Sequence, residues 1–290
     1  MKNILEIKTI ADYFKLRNCE VLHPLVGIVD FDKVNQISYT NKSYDGFHYS
    51  CYAIFLKDAV GCTLVFMAPN QTIEFGGFAP DYVPKGYALL FHPDLLLGTN
   101  LAKKIQEFNF FAYSSNEALH LSAKERKVIL SLLEKIQFEL EQPIDKHSKK
   151  LIVTNIELFL DYCLRFYDRQ FITREVVNKG TLEKFDTLLR DYFLSDKPKT
   201  NGLPSVGYFA DQLHLSSNYF GDLVKKETGI SAQEYIQIKL IDVAKEKIFD
   251  PNKSVSEIAY ELGFKYPQHF SRLFKQKVGH SPKEFRTSIN

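Results

Sequence analysis

Polar and basic side chains near the C-terminus share the outward side of one predicted helix. The apolar residues of this stretch recur at the spacing of a buried helical stripe, made of Phe270, Leu273 and Phe274. The same period turns four other side chains outward, namely Gln268, His269, Arg272 and Lys275. Residues 265–286 hold six Lys and Arg against one Glu. This local excess of positive charge is typical of a phosphate-binding surface, and a merely solvated basic face is the alternative.

The stretch that presents these side chains repeats an earlier part of the chain. Ser205, Ala210 and Leu213 recur 49 positions later, whereas matching residues within 220–235 recur 50 positions later. One residue has therefore been inserted between the two blocks, in the turn. Each copy predicts a short helix, a tight turn, a second helix and a glycine stop, which is the pattern of two helix-turn-helix modules side by side.

Local signals in the second copy agree with this interpretation. Ser254 and Glu257 have the spacing of a capping box at the start of the first helix. Gly263 supplies the turn, Pro267 suits the first turn of the second helix, and Gly279 ends that helix. We therefore expect the C-terminal part of the chain to be all-α.

The composition is that of an ordinary globular protein. The chain has 290 residues and a formal net charge of +2, with 45% hydrophobic and 25% charged residues, which allows two domains with sizeable cores. Its four cysteines lack the spacing of a metal or redox site, so we expect a reduced, cytoplasmic setting. Glu6 and Lys8 interrupt any apolar core of a signal peptide, and no apolar stretch is long enough to span a membrane.

The N-terminal part has the texture of β-strands. Short runs rich in Val, Ile, Phe and Tyr alternate with Gly, Pro, Asn and Asp, and the Gly76-Gly77 pair predicts a turn. Tyr49–Leu56 is apolar at odd and even positions, as expected for a strand covered on both faces. The predicted strands are Leu25–Val29, Tyr49–Leu56, Thr63–Met67, Gln71–Phe75 and Tyr87–Phe91. We expect a cupin-like β-barrel or sandwich, and a barrel of this size can hold one small ligand.

Helical signals follow the strands. Asn100–Glu107 predicts a short helix, and a capping box of Ser122 and Glu125 begins a long helix that runs to about Glu141 and ends before Pro143. The apolar stripe of the long helix is Ile129, Leu132, Leu133, Ile136 and Leu140.

The next predicted helix, from Ser148 to about Tyr167, is apolar on two faces. The first face carries Ile152, Ile156, Phe159 and Cys163, and the second carries Leu151, Leu158 and Tyr162. One face can pack on the strands, while the other needs a further partner. A dimer interface and burial by a neighbouring helix of the same chain both fit, and the sequence leaves the two open.

A polar stretch with Pro and Gly, residues 195–202, follows a further predicted helix at Leu182–Phe193. This stretch is the clearest boundary or hinge signal in the chain. Beyond it, residues 196–290 carry 14 Lys and Arg against 11 Asp and Glu, whereas residues 1–195 carry 23 against 24. The positive charge is therefore concentrated locally in the C-terminal repeat rather than spread over the chain.

The C-terminal motifs resemble those of the AraC/XylS family of bacterial transcription regulators. The resemblance is carried by residues 254–264, 270–275 and 279–286, and the first copy is similar through Ala210, Leu213, Phe220 and Gly229. Upstream, residues 84–92 and 116–119 look like the barrel-and-helix sensor domain that is common in this family. The resemblance implies an α+β chain: a cupin-like sensor domain at 1–121, a helical dimerisation segment at 122–195, and a DNA-binding domain with two helix-turn-helix motifs at 196–290.

The family places the second helix of each module in successive turns of the DNA major groove. A linking helix, here Gln233–Phe249, would fix their separation across one turn of B-DNA, about 34 Å. By this resemblance, Gln268 suits an adenine edge, Arg272 a guanine edge and Lys275 a phosphate. The resemblance also implies DNA contacts by Tyr266 and His269 in the second copy. In the first copy the implied DNA-contacting residues are Ser217, Asn218, Gly221, Asp222 and Lys225.

Two positions depart from the expected pattern. Asp222 stands where Arg272 stands in the second copy, and a carboxylate there repels phosphate, so base reading by the first module stays open. Lys239 occupies a position in the linking helix where the family usually has arginine, which would weaken one structural ion pair.

We therefore expect a DNA-binding transcription regulator, not an enzyme, that acts as a homodimer without a cofactor. Activation through RNA polymerase is the usual output of the family, and repression is the alternative. The N-terminal domain would sense a small-molecule effector, or a protein partner instead. A barrel metalloenzyme with a DNA-binding appendage is a further alternative, but His23, His48 and His92 lack the spacing of a metal site. We also expect residues 196–290 to bind DNA without the rest of the chain.

Overall fold

The computed structural model describes residues 2–34, 44–58, 61–74 and 84–288. Contacts divide the chain into two compact units, residues 1–173 and residues 174–290. The predicted turn at Gly76-Gly77 lies outside the described residues.

In the first unit the strands are β1 (Ile4–Ile7), β2 (Val26–Asp30), β3 (Gly46–Tyr49), β4 (Tyr52–Lys57), β5 (Thr63–Met67), β6 (Gln71–Glu74), β7 (Gly86–Phe91) and β8 (Leu119–His120). Its α-helices are α1 (Ile10–Leu16), α2 (Leu101–Lys104), α3 (Ala123–Leu140) and α4 (Ser148–Thr173).

The strands of the first unit form two sheets. One has the order β1-β3-β6 and the other the order β2-β7-β4-β5-β8, with β1 and β3 parallel and all other pairs antiparallel. Neither sheet closes on itself among the described strands. The α+β fold class and the sandwich form of the prediction are confirmed, and a closed barrel is not formed by this part of the chain.

The core of the first unit lies between the two sheets. Alternate residues of β4, β5 and β7 point inward, and Tyr49 at the end of β3 meets Phe55 with ring centroids 6.1 Å apart. These side chains share one buried cluster with α1. The outward residues of the larger sheet are also buried, because Phe66 packs against Phe110 with ring centroids 4.5 Å apart. Strand β4 is thus covered on both faces, as its apolar sequence predicts.

The predicted strand Tyr49–Leu56 is in fact two strands. Tyr49 ends β3 in the smaller sheet, and Tyr52 begins β4 in the larger one. Between them Ser50 donates its backbone N–H to the carbonyl of Ile7 at 2.9 Å. Tyr49–Leu56 is apolar except for Ser50, and this stretch crosses from one sheet to the other without a Gly, Pro or charged residue to mark the break.

The long helices of the first unit form as predicted. Ser122 and Glu125 make the expected capping box on α3, and all five residues of its predicted stripe are buried. On α4 the face that contains Ile156 and Phe159 is buried, whereas Leu151 and Leu158 are 44% and 43% exposed. Neighbouring helices of the first unit therefore leave much of the second apolar face uncovered.

The second unit is all-α, as predicted. Its helices are α5 (Glu175–Leu194), α6 (Lys197–Asn201), α7 (Val206–Gln212), α8 (Ser217–Thr228), α9 (Ala232–Ile248), α10 (Val255–Glu261), α11 (Pro267–Val278) and α12 (Pro282–Ser288). A serine side chain accepts a backbone hydrogen bond at the start of α7, α8, α9 and α10. The two repeats thus give two helix-turn-helix modules, α7–α8 and α10–α11, with α9 between them.

The polar stretch 195–202 folds into the second unit. It contains α6, whose Pro198 is buried, and the Tyr192 hydroxyl donates a hydrogen bond to the Gly202 carbonyl at 2.9 Å. The division between compact units lies instead between Thr173 and Arg174. Helix α5, which the sequence grouped with the dimerisation segment, packs with the helix-turn-helix modules.

Candidate nucleic-acid interface

Helix α11 has one buried and one exposed face. Phe270 and Phe274 are fully buried, and Leu273 is half-buried beside them. Tyr266 is the N-cap residue of α11 and has an extended backbone, and Pro267 is the first residue of the helix. The predicted DNA-contacting residues of the second copy are all exposed, and these are Tyr266, Gln268, His269, Arg272 and Lys275. Their spacing places Gln268, Arg272 and Lys275 one helical turn apart along one face.

The basic residues around α11 divide into two groups. Lys277 is paired with Glu234 of α9 at 2.8 Å, and the Arg286 Nε donates to the carbonyl of Ile248 at 2.7 Å. These two side chains hold helices together. Within the described residues, the other four make no ion pair with a carboxylate, and they are Lys265, Arg272, Lys275 and Lys283. Lys265 is the inserted residue of the second copy, and the sequence counted it in the basic surface without naming it as a DNA-contacting residue.

Helix α8 presents a different surface. Ser217, Asn218 and Lys225 are exposed, while Gly221 and Asp222 are partly exposed on the same side. Helix α8 contains two lysines and two acidic residues, for a net charge of 0, whereas α11 contains three basic and no acidic residues, for a net charge of +3. The two modules therefore share a fold but differ in electrostatics.

The turns of the two modules use different residues for the same backbone conformation. In the second module Gly263 has a φ of 92°, and in the first His214 has a φ of 57°. A Cβ on Gly263 would lie 2.7 Å from the carbonyl carbon of Gly202 and 2.9 Å from the carbonyl oxygen of Pro198. Glycine at 263 is thus required by the close approach of the α6 segment as well as by the turn.

Helix α9 connects the modules through ion pairs as well as packing. Near its start Glu234 pairs with Lys277 of α11, and near its end Lys247 pairs with Glu261 of α10 at 3.1 Å. Lys253 also pairs with Glu261, at 2.7 Å. The hydrogen bond from Lys253, together with Lys247, holds the pKa of Glu261 below its usual value despite partial burial. These contacts fix α9 against the second module.

Helix α5 supplies the aromatic centre of the first module. Phe185 is fully buried, and its ring centroid lies 5.1 Å from that of Phe209, 4.9 Å from that of Phe220 and 5.5 Å from that of Tyr235. The neighbouring Asp186 pairs with Lys239 at 3.2 Å, so lysine at this position makes an ion pair. Phe185, Leu189, Tyr192 and Phe193 form the buried stripe of α5, which the sequence predicted as a helix without identifying this stripe.

The three histidines that were considered for a metal site, His23, His48 and His92, have local partners. The Nδ1 atoms of His23 and His92 accept backbone N–H groups at 3.1 and 3.2 Å, and that of His48 lies 2.9 Å from the Thr72 hydroxyl. Within the described part of the chain no group of three or more His, Cys, Asp or Glu could hold a metal ion. No helix there is long and apolar enough to cross a membrane.

Comparison with known proteins decides the nature of the second unit. Residues 209–288 match the family described as "Helix-turn-helix domain". The activator RhaS of Escherichia coli O9:H4 (strain HS) is 34% identical over 77 residues, which are 27% of this chain and 28% of RhaS. Residues 209–288 therefore form an AraC-type helix-turn-helix domain.

Other known proteins are also similar to part of this chain. YfiF of Bacillus subtilis (strain 168), described as an uncharacterized HTH-type transcriptional regulator, is 28% identical over 162 residues, covering 52% of this chain and 48% of YfiF. The regulatory protein YesN of the same strain is 40% identical over 78 residues, covering 26% of this chain and 21% of YesN. A transcriptional regulator structure from Chromobacterium violaceum is 20% identical, covering 39% of this chain and 94% of its own, with a TM-score of 0.34. The matched part of this chain thus covers less than two thirds of the length of RhaS, of YfiF and of YesN.

Proposed function

We propose that this chain is a sequence-specific, DNA-binding regulator of transcription that docks on the major groove through α11 and α8. The observation that supports this most is the exposed face of α11, where Gln268, Arg272 and Lys275 lie opposite the buried Phe270 and Phe274. In this proposal Arg272 reads guanine through two hydrogen bonds and Gln268 reads adenine. Lys275 contacts phosphate, and Tyr266 and His269 contact the adjacent base or backbone.

The first module contributes differently in this proposal. Helix α8 has no net charge, and Asp222 occupies the position of Arg272. Because a carboxylate repels phosphate, we assign most of the electrostatic affinity to α11. Ser217, Asn218, Gly221 and Lys225 would contribute contacts of lower charge. Specificity would then be set mainly by the half of the operator that faces α11.

The first unit would control the DNA-binding unit in this account. The exposed apolar face of α4, with Leu151 and Leu158, supports a homodimer because such a stripe costs free energy in water. The side chains between the two sheets form a buried apolar cluster, which favours an effector site outside that interior. Activation by contact with RNA polymerase is the output we propose, with the chain acting in the cytoplasm.

The proposal is tested by salt-dependent binding of the full chain to a duplex selected from a random pool. Removal of a phosphate contact lowers the slope of log K against log salt by about 1. Lys275→Ala should show this loss, whereas Lys103→Ala, which removes an exposed lysine of the first unit, should not. Equal effects of the two substitutions would mean that α11 has no special place at the DNA surface.

A further inference from the structure

A groove on the outer face of the first unit lies between α3 and the strands β2 and β7. It encloses about 600 Å³, within the range of small-molecule sites in proteins. On the sheet side, Asp30 and Tyr87 are directly paired across β2 and β7, and Ile28 lies two residues along the same face. The groove is therefore built from regular elements rather than from loop side chains alone.

The helical wall of the groove is one face of α3. The residues that line it recur at intervals of three and four, and they are Leu130, Leu133, Glu134, Gln137, Phe138 and Glu141. Phe138 is 61% exposed, although α3 buries a full apolar stripe on another face. The wall thus offers an accessible aromatic ring between carboxylates.

The charge of the groove has one sign. Three carboxylates line it, from Asp30, Glu134 and Glu141, against one ammonium group, from Lys33, for a net charge of −2. Lys33 is paired with Asp30 at 3.3 Å, and Glu141 accepts a hydrogen bond from Gln137 at 2.8 Å. Glu134 is exposed and has no hydrogen bond or ion pair within the described residues. A free carboxylate beside an exposed ring lacks a cationic partner in this structure.

We propose that this groove binds a small organic ammonium ion with an aromatic or alkyl body. The ammonium group would lie against Glu134 and beside the Phe138 ring, because a carboxylate and an aromatic face both attract cations. The apolar body of the ligand would pack on Phe138, Leu130 and Tyr87 and so be removed from water. An anionic ligand would meet net repulsion. A metal ion is not favoured, since these carboxylates form no metal-binding group among the residues described.

Binding here would act on the helical part of the first unit. Helix α3 is tied to the larger sheet by Arg126, whose Nε donates to the Asp58 carboxylate at 3.0 Å, and its other face packs on α4. A ligand that bridges Glu134 and the sheet would therefore bias the position of α3 against α4. This consequence rests on the proposed regulator function, whereas the binding itself does not.

The test uses the full chain and two probes of similar size and opposite charge, 2-phenylethylammonium and 3-phenylpropionate. Calorimetric titration should detect binding of the ammonium ion only. Glu134→Gln should weaken it about threefold to fivefold, as expected for one exposed charge pair. Glu139→Gln, a matched change on α3 outside the groove, should leave it unaltered, and Phe138→Ala should weaken it as well.

Three results would overturn the proposal: no binding of the ammonium ion, equal binding of the two probes, or equal effects of Glu134→Gln and Glu139→Gln. Glu134 and Phe138 are exposed, so the variants should fold as the parent chain does. DNA affinity is measured on the same preparations. A chain that binds the selected duplex but not the ammonium ion contradicts the groove alone, and the reverse result contradicts the regulator function alone.

Discussion

The hydroxyl of Tyr235 donates a hydrogen bond to the Asp186 carboxylate at 2.8 Å, which ties the linking helix α9 to α5. The same carboxylate forms an ion pair with Lys239, whose ammonium group also lies 5.3 Å from the centre of the Tyr235 ring. One acidic side chain thus positions two residues on successive turns of α9. Because α9 also carries the ion pairs to the second module, this cluster contributes to holding the two modules together.

A double-mutant cycle measures this tie. Asp186→Ala and Tyr235→Phe should each lower the free energy of unfolding by about 1 kcal/mol, because the bond is charge-assisted but partly exposed. The double variant should lose less than the sum, with a coupling of about 0.5–1.5 kcal/mol. Denaturant unfolding of the four proteins gives the coupling directly. Strict additivity would show that the observed contact contributes nothing to stability.

The smallest autonomous DNA-binding fragment should begin at Arg174. A fragment of residues 196–290 lacks Phe185, and truncation of a buried phenylalanine alone costs about 3–5 kcal/mol. We therefore expect residues 174–290 to unfold cooperatively and residues 196–290 to show little stable tertiary structure, contrary to the expectation from the sequence. Near-UV circular dichroism and thermal unfolding distinguish the two, and equal stability of both fragments would refute the role assigned to α5.

Two glycines with similar backbone angles should respond differently to alanine. Gly263→Ala combines a strained positive φ with a Cβ 2.7 Å from backbone, so it should lower the free energy of unfolding by about 3 kcal/mol. Gly279→Ala has a φ of 90° but open space around the Cβ, and should cost only about 1 kcal/mol. Thermal melts of the two variants test this difference. If Gly279→Ala were as costly, the packing of α6 on the turn would not matter.

Acid should destabilise the second unit through Glu261. Its pKa in the folded state lies below the usual 4.5, chiefly because Lys253 donates a hydrogen bond to it. A lowered carboxyl pKa contributes stability above the unfolded pKa, and this contribution is lost as the pH falls through the folded value. Glu261→Gln should therefore flatten the fall of the melting temperature below about pH 4.5. An unchanged pH profile would mean that the ion pairs of Glu261 do not form in solution.

Local sequence signals predicted the helices best because their causes are local. Capping boxes such as that of Ser254 and Glu257 depend on residues three apart, so they are visible in the chain itself. The partners of charges are not local, and Lys277 and Arg286, which the sequence counted in the basic surface, hold helices together instead. Likewise Phe185 was placed in a helix correctly, but its burial against Phe220 depends on contacts distant in the sequence.

The short strands and the sheet boundaries were also beyond the sequence. Strand β1 (Ile4–Ile7) has four residues and β8 has two, too few for a period of two to stand out. Only Ser50 interrupts the apolar residues between Tyr49 and Leu56, and one polar residue was not enough to reveal the change of sheet. The cupin-like character of the first unit, its dimerisation and its effector stay predictions.

The measurement closest to the central claim is the base preference of an Arg272→Ala variant, determined by in vitro selection beside the parent chain. If Arg272 reads a guanine, the variant should lose about 1–3 kcal/mol of discrimination at one base pair and keep the preference at the others. Lys283→Ala, which removes a basic side chain outside α11, should reproduce the parent preference. An unchanged preference and affinity for Arg272→Ala would contradict the assignment of the exposed face of α11 as the surface that reads DNA.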